Sequence, residues 1–168
     1  MSSSWTDIAH NNFSALSENT YPGRGIIVGQ TADASKMVQV YWIMGRSSNS
    51  RNRVFVAEDN NHMRTKAYDE SRLEDPSLII YYPIRQEQDF HIVSNGDQTD
   101  TLWEGIQSGK SFEQSLKSRQ YEPDGPNFTP RITAMTHGHS YQMSILPNSI
   151  IQCKIRMVKC YCAFWEDF

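Results

Sequence analysis

The chain has 168 residues, the length of a single domain. Its apolar fraction of 38% and charged fraction of 21% are close to those of folded chains and exclude wholesale disorder. With 16 basic and 19 acidic residues, the net charge of −3 provides no overall attraction for nucleic acid or an anionic membrane. Because no apolar run approaches a membrane helix and the first 20 residues lack a secretory pattern, we expect a cytoplasmic protein.

A polar N-terminal arm precedes a series of short predicted strands. Residues 1–20 carry five serines and predict a loosely held arm with one short helix. The alternation of apolar residues places Val40 and Trp42 on one strand face and Tyr41 on the other. Strands are predicted at Gly25–Gln30, Lys36–Arg46, Arg53–Glu58, Met63–Tyr68, Leu78–Arg85 and Asp89–Ser94, the last two forming a hairpin around Gln86–Gln88.

The helical signal lies between Asp100 and Arg119. An apolar stripe runs through this stretch, and Gly109 ends its first segment. Ser111, followed three residues later by Gln114, has the spacing of a capping box that starts a second helix. The sequence therefore predicts two helical segments in succession.

The last predicted elements are a loop and a hairpin. A loop rich in proline and glycine spans Tyr121–Pro130, and strands at Arg131–Thr136 and Ser140–Leu146 pair around a turn. The sum is a strand-rich α+β domain with one visible helical layer.

Metal and disulfide chemistry have weak support. Cys153, Cys160 and Cys162 are odd in number and lack a second ligand pair with zinc spacing, so we expect unpaired thiols. His137 and His139 could share a metal, but the glycine between them predicts a turn, and no third ligand stands out.

A basic segment is the first candidate for a binding site. Between Asp33 and Glu58 the chain carries four basic residues and no acidic one: Lys36, Arg46, Arg51 and Arg53. Guanidinium groups bind phosphate bidentately, and the serines and asparagines between them add neutral donors. A solvated basic loop is the alternative interpretation.

Two further segments carry polar groups. In Ser94–Asp100, the Asn-Gly pair predicts a left-handed turn before a helix, whose free N–H groups could meet an anion or be capped by Asp97, Thr99 or Asp100. Glu122 and Asp124 could repel each other beside a pocket, which would raise one pKa toward neutrality. Helix capping and solvated loop acids are the alternatives.

Five strings then carry a resemblance to a known family: YPGRGIIVG (Tyr21–Gly29), YWIMGRSSNSRNRVF (Tyr41–Phe55), DPSLIIYYPIR (Asp75–Arg85), SNGDQTDT (Ser94–Thr101) and FTPRITA (Phe128–Ala134). Their order and context resemble the stand-alone IMP cyclohydrolase family over Tyr21 to Leu146. Any one string alone would be weak, and the agreement of five makes the resemblance specific.

The resemblance implies a fold and a reaction. The fold would be a four-layer αββα sandwich like that of N-terminal-nucleophile hydrolases, without a processed nucleophile, so amide hydrolysis is not expected. The reaction would close 5-formamidoimidazole-4-carboxamide ribotide to IMP with loss of water and without a cofactor or metal. The partner would be this small purine ribotide rather than nucleic acid or a membrane, with homo-oligomer formation left open.

The resemblance also implies site residues. Tyr81 resembles the family's active-site tyrosine, Glu122 its proton-transfer acid, and Asp124 an orienting neighbour. Which of Arg51 and Arg53 contacts the phosphate stays open. The residues implied for substrate binding are Arg46, Asn52, Arg53, Asn95, Gly96, Asp100 and Arg131.

The C-terminal segment departs from this pattern. Leu146–Phe168 does not resemble family sequence, so we divide the chain into an arm at 1–20, a cyclohydrolase-like domain at 21–146 and an atypical tail at 147–168. A frameshifted or truncated end is the hypothesis, and it would leave the sandwich without some strands and part of its outer helical layer. The alternative function is a non-catalytic purine-nucleotide-binding protein.

Overall fold

The computed structural model describes residues 4–59 and 61–148. The helices are α1 (Trp5–Ser17), α2 (Ser48–Arg51), α3 (Gln98–Gln107) and α4 (Phe112–Leu116), with a 3-10 turn at Glu70–Arg72. The strands are β1 (Arg24–Gln30), β2 (Met37–Ile43), β3 (Val54–Ala57), β4 (His62–Lys66), β5 (Ile84–Glu87), β6 (Phe90–Ser94), β7 (Arg131–His137) and β8 (Ser140–Leu146). The α+β class is confirmed. The predictions on the C-terminal cysteines lie outside the described residues.

The strands of the described residues form two antiparallel sheets. β1 and β2 make a two-stranded ribbon, and the other six strands follow one another in the order β3-β4-β5-β6-β7-β8. Neighbours in sequence are thus neighbours in space, which short turns allow. In the part of the chain described, no helix is long and apolar enough to cross a membrane.

One face of the six-stranded sheet carries the helices. Ile92 on β6 and Met135 on β7 are register partners and point to the same face. There they pack against Leu102 and Phe112 in a buried cluster, with Phe112 only 2% exposed. The apolar stripe that predicted two helices is therefore the stripe that covers this sheet face.

The opposite face of the six-stranded sheet packs against the β1–β2 ribbon. Val93 and Ala134, the next register pair, are fully buried there with Val28 of β1. Tyr41 of β2 packs against the same cluster, and the Gln39 amide donates to the His91 carbonyl oxygen at 3.0 Å. The described residues thus build a helical layer and two sheet layers.

The helix boundaries follow the predicted signals. Ser111 and Gln114 form the capping box reciprocally, and Gly109 adopts φ +72° after the end of α3. The N-terminal arm forms a longer helix than predicted, α1, with 13 residues and a capping box between Ser4 and Asp7. Most of its side chains are exposed.

The strand predicted over Leu78–Arg85 is wrong in its first part. Only Ile84–Glu87 forms a strand, while the Ile79 and Ile80 amides bond the Pro76 carbonyl oxygen in a turn. The Tyr81 amide donates to the side-chain hydroxyl oxygen of Thr65 on β4 at 2.8 Å instead of to a backbone carbonyl oxygen of that strand. Buried strands and buried turns both contain apolar runs, so the sequence pattern alone does not distinguish them here.

Candidate functional site

A cavity of about 630 Å³ opens at one end of the two sheets. β1 and β7 begin at this end and β2, β6 and β8 finish there, so five strand ends supply its walls. Its volume lies in the range of small-molecule sites, about 300–1,000 Å³. The predicted site residues in its lining are Arg46, Asn95, Glu122 and Asp124, and Arg24 lines it as well.

A buried ion pair lies in the wall of this cavity. The Glu122 side chain is 2% exposed and its Oε1 accepts a hydrogen bond from Arg24 Nη1 at 2.7 Å. Burial raises the pKa of Glu122, and the charges of Arg24 and Arg131 offset only part of that effect. Asp124 adds to the increase as a minor contribution, so burial outweighs the predicted repulsion between the two acids.

Two phenols and a second arginine belong to the same region as the ion pair. The Tyr41 and Tyr81 hydroxyl oxygens are 2.9 Å apart. The charges of Arg53, Arg24 and Glu122 all act on the Tyr81 hydroxyl, so these groups share one part of the molecule. Both Nη atoms of Arg53 are buried and lack a hydrogen-bond partner among the described residues, and burial lowers the pKa of Arg53. A buried guanidinium without an acceptor is suited to an anionic or carbonyl ligand.

Arg46 lies at the exposed rim of the cavity. Its Nη1 donates to Asn127 Oδ1 at 2.8 Å, and its guanidinium lies over the Tyr21 ring at 5.4 Å. These two contacts hold the cation over the opening while leaving most of its donors free.

Arg51 and Arg53, the other two arginines of the basic segment, differ in their hydrogen bonds. The Arg51 Nε donates to the Gly45 carbonyl oxygen at 2.9 Å, whereas the Arg53 guanidinium has no such partner in the described residues. The Asn52 side chain exchanges two hydrogen bonds of 2.8 Å with the Asp69 backbone. The amide of Asn52 thus holds the chain in place, and Asn52 is not in the lining of the cavity.

The Asn-Gly turn differs from the prediction. Asn95 and Gly96 are not among the residues with positive φ, so the left-handed turn is wrong. Asn95 is 1% exposed, donates to the Pro130 carbonyl oxygen at 2.9 Å and accepts from the Ile132 amide at 2.9 Å. A Cβ at Gly96 would clash with Arg131 Nη1, so glycine is required there for close approach of the guanidinium.

Asp97 connects two arginines instead of capping α3. It occupies the N-cap position without a side-chain cap bond. Its carboxylate bridges Arg119 and Arg131, and Arg131 Nη1 also donates to Gln98 Oε1 at 2.7 Å. Arg131 is 7% exposed and is not in the cavity lining, so it acts on the site through its charge.

Asp100 lies on the other side of the six-stranded sheet. Its Oδ1 accepts from Arg85 Nε at 2.7 Å, and the Arg85 guanidinium lies over the rings of Tyr82 and Trp103. Burial raises the pKa of Asp100, and Arg85 offsets part of that effect. Asp100, expected among the substrate-binding residues, therefore lies outside the cavity lining, because β5 directs Arg85 toward the helical face.

The loop between α4 and β7 is closed by Asp124. Its Oδ1 accepts from the Thr129 amide at 2.7 Å and its Oδ2 from the Thr129 hydroxyl. The Glu122 amide donates to the Thr129 carbonyl oxygen at 2.9 Å. These bonds fix the backbone that carries Glu122.

Sequence reasoning missed two members of the site. Arg24 lies in the string Tyr21–Gly29 and is the only lysine or arginine in the first 35 residues, which is a signal that could have found it. Tyr41 was placed on a strand face but given no role. The described residues contain no group of three or more histidines, cysteines or acids that could hold a metal, and His137 stacks on Phe90 with centroids 4.2 Å apart.

The chain is similar to known proteins of one family. The family described as IMP cyclohydrolase-like protein matches residues 21–163, so the match extends beyond Leu146. An IMP cyclohydrolase of Methanopyrus kandleri is 30% identical over 125 residues, 72% of this chain and 61% of that protein. One of Methanothrix thermoacetophila is 31% identical over 140 residues, 80% of this chain and 66% of that protein.

A third IMP cyclohydrolase, of Methanocella arvoryzae, is 30% identical and covers 75% of this chain and 62% of its own length. The chain thus spans about two thirds of the length of these curated relatives or slightly less. The family match nevertheless includes every residue that lines the cavity, from Tyr21 to Ile145. The chain belongs to the IMP cyclohydrolase-like protein family.

Proposed function

We propose that the chain is an IMP cyclohydrolase that closes 5-formamidoimidazole-4-carboxamide ribotide to IMP. The observation that carries the proposal is the convergence of Arg24, Arg46 and Glu122 on one cavity of about 630 Å³, with Tyr81 and Arg53 close enough for charge interaction with the ion pair. The named activity of the relatives supports the same reaction. A phosphorylated substrate of this kind, held inside cells by its charge, implies a cytoplasmic location.

The cations divide between the two ends of such a substrate. Arg46 is exposed at the rim, where a phosphate group keeps part of its hydration, and we assign it to the phosphate. The buried guanidinium of Arg53 lies near Tyr81 and Glu122, and we assign it to the end of the substrate that reacts. Asn95 supports the wall between them through its backbone bonds.

The reaction needs positioning, charge stabilisation and proton transfer. The carboxamide nitrogen attacks the formyl carbon, forming a C–N bond, and the formyl oxygen leaves as water with one proton from each of the two nitrogens. Holding both groups in attack geometry supplies a large share of the rate. No oxidant or external nucleophile takes part, because both reacting groups are on one imidazole.

Two side chains have the chemistry for the remaining steps. Burial raises the pKa of Glu122, which suits it to take the carboxamide proton and return it to the leaving oxygen near neutral pH. The Tyr81 hydroxyl is under the influence of the Arg53 and Arg24 charges, which suits it to donate to the formyl oxygen as negative charge develops. Asp124 and Arg131 orient and tune Glu122.

We also propose that the two sheets are the inner layers of an N-terminal-nucleophile-hydrolase-like αββα sandwich. Packing of Val28 against Val93 and Ala134, with α3 and α4 on the outer face of the larger sheet, supports this arrangement. The stacking of two antiparallel sheets through apolar inner faces is the feature common to such folds.

A turnover assay tests the function. We expect the purified chain to convert the formamido ribotide to IMP, followed by the ultraviolet change of ring closure. Glu122→Gln should lower kcat by about 100-fold with little change in KM, the size of a lost general acid–base group. Glu104→Gln, an exposed acid on α3, is the matched control.

Arg53→Ala tests the binding assignment. Losing a charged hydrogen-bond donor should raise KM by about tenfold or more, whereas Arg72→Ala on the exposed 3-10 turn should leave it unchanged. No IMP formation by the unmodified chain would contradict the proposed function. IMP binding by calorimetry without turnover would favour the non-catalytic nucleotide-binding alternative.

A further inference from the structure

Tyr41 reaches the site from the sheet interface. Its ring packs against the buried cluster of Val28, Val93 and Ala134 and lies 5.8 Å from the Phe55 ring. This packing fixes the ring, and its hydroxyl oxygen ends 2.9 Å from that of Tyr81. The phenol pair therefore runs from the apolar core toward the ion pair at the cavity.

The direction of the hydrogen bond between the phenols follows from the proposed use of Tyr81. Each phenol has one proton, and among the described residues each hydroxyl oxygen has the other as its one hydrogen-bond partner, so the contact alone allows either phenol to donate. Once Tyr81 gives its proton to a substrate oxygen, as the proposed function requires, Tyr41 holds the remaining proton of the pair and donates it to the Tyr81 oxygen. The charges of Arg53 and Arg24 oppose the rise that burial causes in the pKa of Tyr81, which makes its hydroxyl a stronger donor toward the substrate.

The titration behaviour of the two phenols supports this direction. Burial raises the pKa of Tyr41, and its interaction with Tyr81 raises it further. Burial also raises the pKa of Tyr81, but Arg53 and the hydrogen bond from Tyr41 act in the opposite direction. These opposite effects agree with a pair in which Tyr41 donates and the Tyr81 oxygen accepts.

We infer that Tyr41 is a positioning residue that donates to the Tyr81 hydroxyl and thereby directs the Tyr81 proton at the formyl oxygen of the substrate. This inference rests on the proposed function. With its oxygen lone pair occupied by Tyr41, the Tyr81 hydroxyl has one orientation in which to donate, and the donor is set before substrate binds.

Paired Tyr→Phe variants test the inference. Tyr81→Phe should lower kcat by about 100-fold, as for a lost oxyanion donor. Tyr41→Phe should lower kcat by about tenfold, with KM within about twofold. In the Tyr81→Phe background, Tyr41→Phe should cause no further loss, because its effect passes through the Tyr81 hydroxyl.

Two controls separate this role from a structural one. Tyr82→Phe removes a neighbouring phenol oxygen that bonds Glu58 on the surface, and its kcat should equal that of the unmodified chain. IMP affinity by calorimetry should stay unchanged in Tyr41→Phe, because the formyl oxygen has left as water. A loss of kcat that is equal in both backgrounds, or a parallel loss of IMP affinity, would indicate general disruption and overturn the inference.

The outcomes distinguish the two proposals. Turnover by the unmodified chain with Tyr41→Phe equally active overturns the inference and leaves the cyclohydrolase function standing. No turnover by the unmodified chain overturns the proposed function and, with it, the role of Tyr41. Turnover with the expected non-additive loss supports both.

Discussion

Replacing Arg24 with methionine removes the cation from a carboxylate that has almost no contact with water. Glu122 is 2% exposed and its Oε1 lies 2.7 Å from Arg24 Nη1. Removing one partner of a buried ion pair destabilises a protein by about 3–5 kcal/mol, because the other charge stays buried without a counter-charge. Methionine keeps much of the aliphatic volume of arginine, so the variant mainly tests the charge.

The loss of unfolding free energy in Arg24→Met is limited, because Glu122 can take up a proton and become neutral. Keeping a carboxyl group protonated at pH 7 costs about 1.36 kcal/mol for each pH unit above its ordinary pKa of about 4.3, or about 3.7 kcal/mol. Burial already raises the pKa of Glu122 in the unmodified chain, so part of this cost is present there. We therefore expect Arg24→Met to lower the free energy of unfolding by about 2–3 kcal/mol at pH 7.

The sign of the pH dependence follows from the direction of the shift. A carboxyl whose folded pKa is raised loses stability as pH rises above its unfolded pKa toward its folded pKa. The deficit of Arg24→Met should therefore be largest near pH 7 and shrink by up to about 1.4 kcal/mol per unit as pH falls toward 5. Urea unfolding at pH 5, 6 and 7, followed by tryptophan fluorescence, measures it.

The double variant Arg24→Met with Glu122→Gln provides the control. Its amide carries no charge, so its stability relative to the unmodified chain should vary much less with pH between 5 and 7. A deficit in Arg24→Met that is the same at all three pH values, or that persists unchanged in the double variant, would refute the reasoning that an uncompensated carboxylate is the cause.

Two further predictions concern the support of the site and the core. Gly96→Ala places a methyl group against Arg131 Nη1, and we expect about 1–3 kcal/mol of destabilisation together with a lower kcat, whereas unchanged turnover and urea midpoint would contradict the required close approach. Phe112→Ala empties the centre of the helix–sheet cluster and should cost about 3–5 kcal/mol, measured by urea unfolding; a loss below about 1 kcal/mol would contradict its place in the core.

Local signals predicted much of the fold. The β7–β8 hairpin was predicted from two alternating runs around a glycine, and Gly138 adopts φ +54° in that turn. The capping box of Ser111 and Gln114 was predicted from its spacing alone. Such features depend on residues a few positions apart, so the sequence contains all the information that decides them.

Contacts between distant segments decided the features that could not be predicted. Leu78–Pro83 has the composition of a buried strand, but the side-chain hydroxyl of Thr65 on β4 takes the Ile79 carbonyl and Tyr81 amide bonds that backbone pairing would use. Arg24 and Glu122 are 98 residues apart in sequence, and only the meeting of the strand ends brings them together. Asp100 is on α3, which covers the helical face of the six-stranded sheet. It therefore bonds Arg85 on that face rather than reaching the cavity.

The resemblance identified the chemical groups of the site but not how each is used. Asn52 and Asn95 were expected to contact substrate, yet both amides are engaged with backbone groups. Nothing in a sequence string distinguishes an amide that binds a ligand from one that binds its own chain. Arg53 differs from both, since its buried Nη atoms have no partner in the described part of the chain.

A crystal structure of the chain grown with saturating IMP tests the central claim most directly. We predict IMP in the cavity at the common end of the two sheets, with its phosphate at Arg46 and its base toward Arg53, Tyr81 and the Arg24–Glu122 pair. IMP bound at another surface, or this cavity empty at saturation, would contradict the assignment of the site.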